Sequence, residues 1–294
     1  MSEDQHAITR RDFMRGAAST AVAAAFGLPS GAQAEVAKKS RVVLIRDEAV
    51  MDGGGGIDSA VLERMLDEAV AKLLRENRAA EAWKSLVKPT DLVGIKSNVW
   101  ARLRTPPELE TIIRQRVIGA GVAGGKVFCD DRGSREKFLA STALINVRPA
   151  RSHHWAGMGG CIKNYIIFSS NPPEYHPDSC ANLAKLWSMP IVKGKTRLNI
   201  LVLLTPQFYG RGPHSFDPRY LWPYKGLAVS LDPVAVDAVG AHILRTKRIQ
   251  YFGEEKPITP TKHIAVADQK YHLGVSDLNQ IELIKLGWTK DALI

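Results

Sequence analysis

Short apolar runs alternate with amphipathic segments over most of the chain. Runs rich in β-branched residues are typical of buried strands, and apolar positions that repeat every three or four residues are typical of helices. The strands predicted in this way are 41–46, 92–99, 126–130, 143–147, 198–205, 226–230 and 263–267. The predicted helices are 57–74, 107–119, 179–187 and 233–245.

The alternation of strands and helices predicts an α/β fold, with a mostly parallel sheet and helices on both of its faces. Two stretches interrupt the pattern, 148–178 and 205–225, and both are rich in glycine, proline and aromatic residues. Long loops in compact domains are often functional, and ligands of α/β sheets bind beyond the carboxyl ends of strands. We therefore expect these strand-end loops to form a pocket in a single domain over residues 35–294.

The N-terminal segment resembles an export signal. An Arg10-Arg11 pair precedes an alanine-rich apolar run at 16–28, and Ala32-Gln33-Ala34 matches an A-x-A cleavage site. The run is too short for a transmembrane anchor. Residues 1–34 are thus interpreted as a twin-arginine signal peptide, which implies export of the folded protein to the periplasm and the twin-arginine machinery as a partner. The alternative is a cytoplasmic protein with a fortuitous arginine pair.

The net charge and the number of cysteines limit the partners and cofactors that the sequence is compatible with. The net charge is +10, which favours anionic partners, although dispersed solubilising charge is the better explanation of it. No basic arm or nucleic-acid motif is present, so nucleic acid is not expected as a partner. Three cysteines cannot build a self-contained four-cysteine iron–sulfur or zinc site, and the cofactor stays unknown.

The segment 119–124 matches the dinucleotide-binding pattern G-x-G-x-x-G. That pattern needs a strand before it and a helix after it, so that a helix N-terminus meets the phosphates. Here a predicted helix precedes and a predicted strand follows. We therefore interpret these glycines as the C-terminal turn of a helix.

Polar residues that can carry chemistry are concentrated in three segments. They are Ile95-Lys96-Ser97-Asn98, the stretch 146–164 with Arg151, His153, His154 and Lys163-Asn164, and Asp232-Pro233-Val234-Ala235-Val236-Asp237. In this order they resemble the domain-of-unknown-function 362 family, over about 92–274. Ser97 and Arg151 depart from the proline and lysine that are usual there. The ferredoxin-like cysteine cluster of many relatives is missing.

The resemblance implies no reaction, because the family has none assigned. From the residues we expect His153, Lys163 and Asp237 to be catalytic, with the histidine or Asp237 as acid–base. The expected ligand-binding residues supply cations, amides and a carboxylate: Lys96, Asn98, Arg151, Asn164 and Asp232. Ordinary structural roles remain open for each of them, above all for Asp232, which is a strong helix N-cap before Pro233.

A metal site is a further alternative. Its candidate ligands are His153, His154, Cys161, His176, Cys180 and His214, whose spacings match no recognised zinc pattern. Cys161 and Cys180 could equally form a disulfide.

Three functional hypotheses follow. The first is an enzyme that acts on a small anionic substrate in a basic pocket, with the reaction class unresolved. The second is a redox or iron–sulfur-associated accessory protein with a redox partner. The third is a non-catalytic binding protein for an anionic ligand.

Overall fold

The structure, a computed structural model, describes residues 40–210, 216–256 and 258–294. The predicted signal peptide, residues 1–34, and the candidate ligand His214 lie outside these ranges. The described strands are β1 Ser40–Arg46, β2 Val93–Lys96, β3 Val127–Asp130, β4 Ala143–His153, β5 Gly157–Gly159, β6 Thr196–Gln207, β7 Gly226–Ser230 and β8 Ile281–Gly287. The longer helices are α1 Ser59–Leu74, α2 Ala79–Leu86, α3 Pro107–Gly119, α4 Arg135–Ala140, α5 Pro233–Phe252 and α6 Lys262–Gln269.

All of these strands belong to one sheet, in the order β3-β2-β4-β6-β7-β1-β8, with β5 paired to β4. The pairs β2–β3, β2–β4, β4–β6 and β1–β8 are parallel. The strand β7 is antiparallel to both of its neighbours, and β5 is antiparallel to β4. The predicted α/β class with a mostly parallel sheet is confirmed.

Each face of the sheet is covered by its own hydrophobic core. Side chains alternate between the two sides of a strand, so Val43 and Ile45 of β1 pack on α1 to α3, whereas Val42 and Leu44 face the opposite core. That opposite core contains α5 and α6, together with the 3₁₀ segments Ile162–Phe168 and Leu183–Ser188. Helices on both faces are thus confirmed.

Several predicted boundaries agree closely with the structure. The helix α3 and the strand β7 have the bounds predicted for them, and β1, β3 and α1 differ from prediction by one or two residues. Gly121 lies just beyond α3 with a φ of +105°, where glycine is favoured. The glycine-rich segment at 119–124 therefore ends a helix, as predicted.

Other predictions were wrong. Segment 263–267 is not a strand but part of α6, because Ile264 and Ala267 face the core at helical spacing. The helix predicted at 179–187 is a short turn, Pro177–Cys180, followed by a 3₁₀ segment, and Asp178 and Ser179 have positive φ. The helices α2 and α4 and the strands β5 and β8 were not predicted.

The most consequential difference concerns β4. The predicted strand ended at Val147, and 148–178 was expected to be loop, but β4 continues to His153 and pairs with β6 as far as Arg151 and Gln207. All eleven residues of β4 are buried. Arg148, Arg151 and His153 are therefore held on a central strand rather than on a loop.

Within the ranges that the structure describes, no helix has both the length and the apolar character that a membrane-spanning helix requires.

Candidate functional site

Six of the eight predicted site residues lie together where β2 and β4 end: Lys96, Asn98, Arg151, His153, Lys163 and Asn164. The parallel pairing of β2 with β4 places the end of β2, Lys96, beside Asn146, and β4 continues past this point to Arg151 and His153. The 3₁₀ segment Ile162–Phe168 packs there and supplies Lys163 and Asn164. The sequence clusters at 95–98 and 146–164 thus form one locus.

Asn164 connects these elements through hydrogen bonds. Its Nδ2 donates to the carbonyl oxygens of Lys96 (3.1 Å) and Val147 (3.1 Å) and to Oδ1 of Asn146 (2.8 Å). Its Oδ1 accepts a hydrogen bond of 3.4 Å from Nδ2 of Asn98. Because its hydrogen-bonding groups are occupied by protein, Asn164 positions the segment that carries Lys163.

Lys96 is fully buried and ion-paired. Its Nζ lies 2.6 Å from Oδ1 of Asp131 and donates to the carbonyl oxygen of Ser97 at 2.7 Å. Burial lowers the pKa of Lys96 to about 8, although the Asp131 carboxylate opposes that shift. For Asp131, burial raises the pKa, but the charge and hydrogen bond of Lys96 outweigh it and the net pKa is lowered.

Three further cations lie buried beside this pair and form what we call the cation cluster: Arg148, Arg151 and Lys163. Their exposed fractions are 3%, 4% and 3%. Within the described part of the chain, Nε of both arginines and Nζ of Lys163 are buried without a hydrogen-bond partner. A buried charge without compensation is costly, so orphaned donors of this kind indicate a site that is completed by a ligand.

The charges of the cluster affect one another. Burial, together with the positive charges of Arg148 and Arg151, lowers the pKa of Lys163 to about 8, although Cys180 opposes the shift. Burial and the charge of Arg148 hold the pKa of Arg151 well below its usual range. The guanidinium of Arg151 stacks 4.4 Å above the ring of Trp100 and donates through Nη1 to Oδ1 of Asn98 (3.1 Å).

His153 borders the cation cluster. Its Nδ1 accepts hydrogen bonds from the backbone N–H groups of Trp155 (3.2 Å) and Ala156 (3.4 Å). Burial, and then the charges of Lys163 and Arg148, hold its pKa far below the usual range. The ring is therefore neutral at pH 7 and, with Nδ1 accepting two amides, carries its proton on Nε2, which makes Nε2 a hydrogen-bond donor.

Asp237 supports the backbone just before Lys163, and both of its carboxylate oxygens are occupied by protein hydrogen bonds. Its two carboxylate oxygens accept the backbone N–H groups of Cys161 (2.6 Å) and Ile162 (2.8 Å), at the start of the segment that bears Lys163. Burial raises the pKa of Asp237 to about 7, and the two amides and Arg148 oppose that shift. Gly160 is required here, because a Cβ at that position would lie 2.3 Å from Oδ1 of Asp237.

Asp232 has a structural role at the start of α5. It caps α5 by accepting the N–H groups of Val234 and Ala235, and it also accepts from Ser40 and Val275. These four partners are all outside the cation cluster. The negative charge of Asp232 acts on Asp237, whose pKa it helps to raise.

Only some of the candidate metal ligands lie close to one another. The rings of His153 and His154 stack at 4.9 Å, and Trp155 separates His154 from His176 at 4.1 Å from each. Cys161 and Cys180 are buried free thiols. Among the described residues, no group of three or more histidine, cysteine or acidic side chains could hold a metal ion.

Sequence reasoning missed three residues of this site: Arg148 as a member of the cluster, His263 and Gln207. Both ring nitrogens of His263 and both amide atoms of Gln207 are buried and, in the described ranges, without partners. Burial, with the charges of Lys163 and Arg148, lowers the pKa of His263 to about 3, and Gln207 is opposite Arg151 on β6. The sequence offered one signal for Gln207, because it is a polar residue at the end of an apolar strand.

A cavity of about 820 Å³ opens beside His153. Six of the ten described residues that line it carry aromatic rings: His153, His154, Trp155, Tyr209, Phe216 and Tyr220. On the far side, Phe216 contacts Trp100 (5.7 Å between ring centroids), and Trp100 stacks on Arg151. The described lining contains none of the three cations, and the cavity is connected to the cluster through His153, on which the charges of Lys163, Arg148 and Arg151 act.

Together these features define a class: an α/β protein with a buried cation cluster at the carboxyl end of a central parallel strand. A family model described as "Domain of unknown function (DUF362)" matches residues 93–242, about half of the chain. The chain belongs to this family. The matched range contains the site from Lys96 to Asp237 and ends before His263. Comparisons with curated proteins and with solved structures gave no significant match.

Proposed function

We propose that this protein is an enzyme that binds a small anionic substrate in the cation cluster. The observation that carries the proposal is the set of orphaned buried donors on Arg148, Arg151 and Lys163. The carboxylates whose charges act on the two arginines are Asp131 and Asp237, and both already accept hydrogen bonds from other groups. An anion would supply the missing acceptors and compensate the buried charge.

Lys163 is the best candidate for proton transfer in this site. A pKa of about 8 lets it exchange a proton near neutral pH, which is the requirement for a general acid or base. His153 is better suited to donate a hydrogen bond from Nε2, because its Nδ1 is occupied by two backbone amides. Asp237 supports the backbone at 161–162, and we assign it a positioning role.

Anion binding predicts a ligand-dependent rise in Tm. Acetate or phosphate, added at pH 7 against chloride of equal ionic strength, should stabilise the native state. The gain is about 2.7 kcal/mol at a ligand concentration 100-fold above Kd. For acetate, the affinity should fall as pH rises through about 8, where Lys163 loses its proton. Differential scanning calorimetry and isothermal titration calorimetry measure the two effects.

The matched variants for this test are Arg151→Met and Lys185→Met. Arg151→Met removes one cation of the cluster and should abolish the anion-dependent shift. Lys185 is exposed, so its substitution should leave the shift unchanged. An equal response of wild type and Arg151→Met, or no response to any anion, would refute the proposal.

We also propose that the protein is exported folded by the twin-arginine pathway. The support is the order of Arg10-Arg11, the apolar run and Ala32-Gln33-Ala34. Expressed in a bacterium with this pathway, the full chain should appear in the periplasm with a mass reduced by residues 1–34. The double substitution Arg10→Lys/Arg11→Lys should block this processing, and the control Arg15→Lys should not. Uncleaved wild-type chain confined to the cytoplasm would contradict the proposal.

A further inference from the structure

The cavity beside His153 is lined by residue types that are unusual for an anion site. Aromatic rings dominate its described lining, and the charged residue there, Asp217, is ion-paired with Arg219 at 2.6 Å. Its volume of about 820 Å³ is far larger than acetate or phosphate needs and is typical of pockets that enclose a whole organic ligand.

The rings are arranged as a continuous row. His153, His154, Trp155 and His176 follow one another with centroid distances of 4.9, 4.1 and 4.1 Å. The row begins at His153, beside the cation cluster, and the indole of Trp155 is 43% exposed. The β4–β5 hairpin holds this row in place. Gly157, with a φ of +70°, approaches the backbone of Thr259 so closely that no Cβ would fit.

A second aromatic contact leads to the same cations from the other side. Phe216 lines the cavity and packs edge-on against Trp100 at 5.7 Å, and the guanidinium carbon of Arg151 lies 4.4 Å from the centroid of the Trp100 ring. Two lining residues, His153 and Phe216, thus connect the cavity to the cluster, and both carry aromatic rings. Aromatic walls favour planar, conjugated groups, which gain stacking contacts in addition to the burial of apolar area.

We propose that the substrate is a planar aromatic anion, with its negative group against the cation cluster and its ring among His153, Trp155 and Phe216. This inference rests on the proposed anion-binding function and names the substrate class for the same site. An aromatic carboxylate and an aromatic phosphate share the required chemistry, so each serves as an arm of the test.

The test compares probes that differ only in the ring. Benzoate and cyclohexanecarboxylate have the same charge and the same number of carbon atoms, but only benzoate is planar and aromatic. Isothermal titration calorimetry at pH 7 on the full mature chain should show benzoate binding about fivefold more tightly. Phenylphosphonate and cyclohexylphosphonate, titrated in parallel, show which anionic group the cluster accepts.

Two tryptophan variants locate the ring. Trp155→Leu should bring benzoate and cyclohexanecarboxylate to equal affinity, while acetate binds as in wild type. Trp288→Leu is the control, because Trp288 stacks on Arg46 at another part of the sheet and should not alter the preference. Circular dichroism verifies that both variants fold.

The possible outcomes distinguish failure of the aromatic substrate class from failure of the proposed anion-binding function. If acetate binds and the planar and saturated probes bind equally, the aromatic class is overturned and the anion site stands. If the preference persists in Trp155→Leu, the ring lies elsewhere and the inference is again overturned. If no anion binds, both fail together.

Discussion

Replacing Lys163 by methionine should abolish anion binding and at the same time stabilise the ligand-free protein. Nζ of Lys163 is buried and unpartnered in the described chain, so the native state bears the cost of an uncompensated charge. Methionine fills a similar volume without that charge, and we expect the free energy of unfolding at pH 7 to rise by about 1–3 kcal/mol. Chemical denaturation measures this change, and calorimetry measures the loss of the acetate response.

The same substitution has a pH signature. The folded-state pKa of Lys163 is lowered to about 8, whereas an unfolded lysine titrates near 10.4. Between these values the unfolded state binds more protons, so this lysine destabilises the fold below pH 8 and ceases to do so as pH rises toward 10.4. The stability gain of Lys163→Met over wild type should therefore shrink across that window. Lys96 shifts in the same direction but is present in both proteins, so it cancels in the difference.

Lys185→Met is again the control, with an expected change within about 0.5 kcal/mol. A loss of stability in Lys163→Met at pH 7 would mean that the lysine is compensated in the native state. Retention of the acetate response would mean that it does not face the ligand. Either result would remove Lys163 from the mechanism.

Replacing Asp237 by asparagine should destabilise the protein by about 2–4 kcal/mol. Both carboxylate oxygens accept backbone N–H groups, and an amide can present only one oxygen, so its NH₂ would oppose a second donor. Arg148 would also lose a neighbouring negative charge. Urea unfolding monitored by circular dichroism measures the effect.

Two companion variants sharpen this prediction. Asp277→Asn changes an exposed turn-capping carboxylate and should cost little, because asparagine caps equally well. Gly160→Ala should damage the same contact from the other side, since its Cβ would meet Oδ1 of Asp237. The double variant Asp237→Asn/Gly160→Ala should then lose less than the sum of the single losses. Strict additivity would show that the two residues do not share one contact.

Much of the fold followed from local patterns. The bounds of α3 and β7 were predicted because proline, glycine and apolar periodicity act within a few residues of one another. The failures have the opposite cause. The apolar residues at 263–267 suit a strand or a helix equally well, and only packing of Ile264 and Ala267 against the core selects the helix.

The candidate site likewise contains residues that the sequence identified and roles that only the structure revealed. Residue type alone marked Lys96, Asn98, Arg151, His153, Lys163 and Asn164, because cations, amides and histidines in an otherwise apolar sequence need a reason to be there. The sequence also marked Asp232 as a helix cap, because its partners Val234 and Ala235 are two and three residues away. It gave no indication that Asp237 supports the segment before Lys163, because the partners of Asp237, Cys161 and Ile162, are about 75 residues away in the chain.

By itself, the sequence determined the family, the α/β class, the helix start at Asp232-Pro233 and the identity of the basic residues, since each depends on local or compositional information. The tertiary structure alone decided that Arg148 and Arg151 lie on a buried strand, that His263 and Gln207 join them, and that aromatic rings border the site. The reason is physical. Burial and the absence of a hydrogen-bond partner are properties of contacts between residues far apart in the chain, which residue type and spacing do not encode.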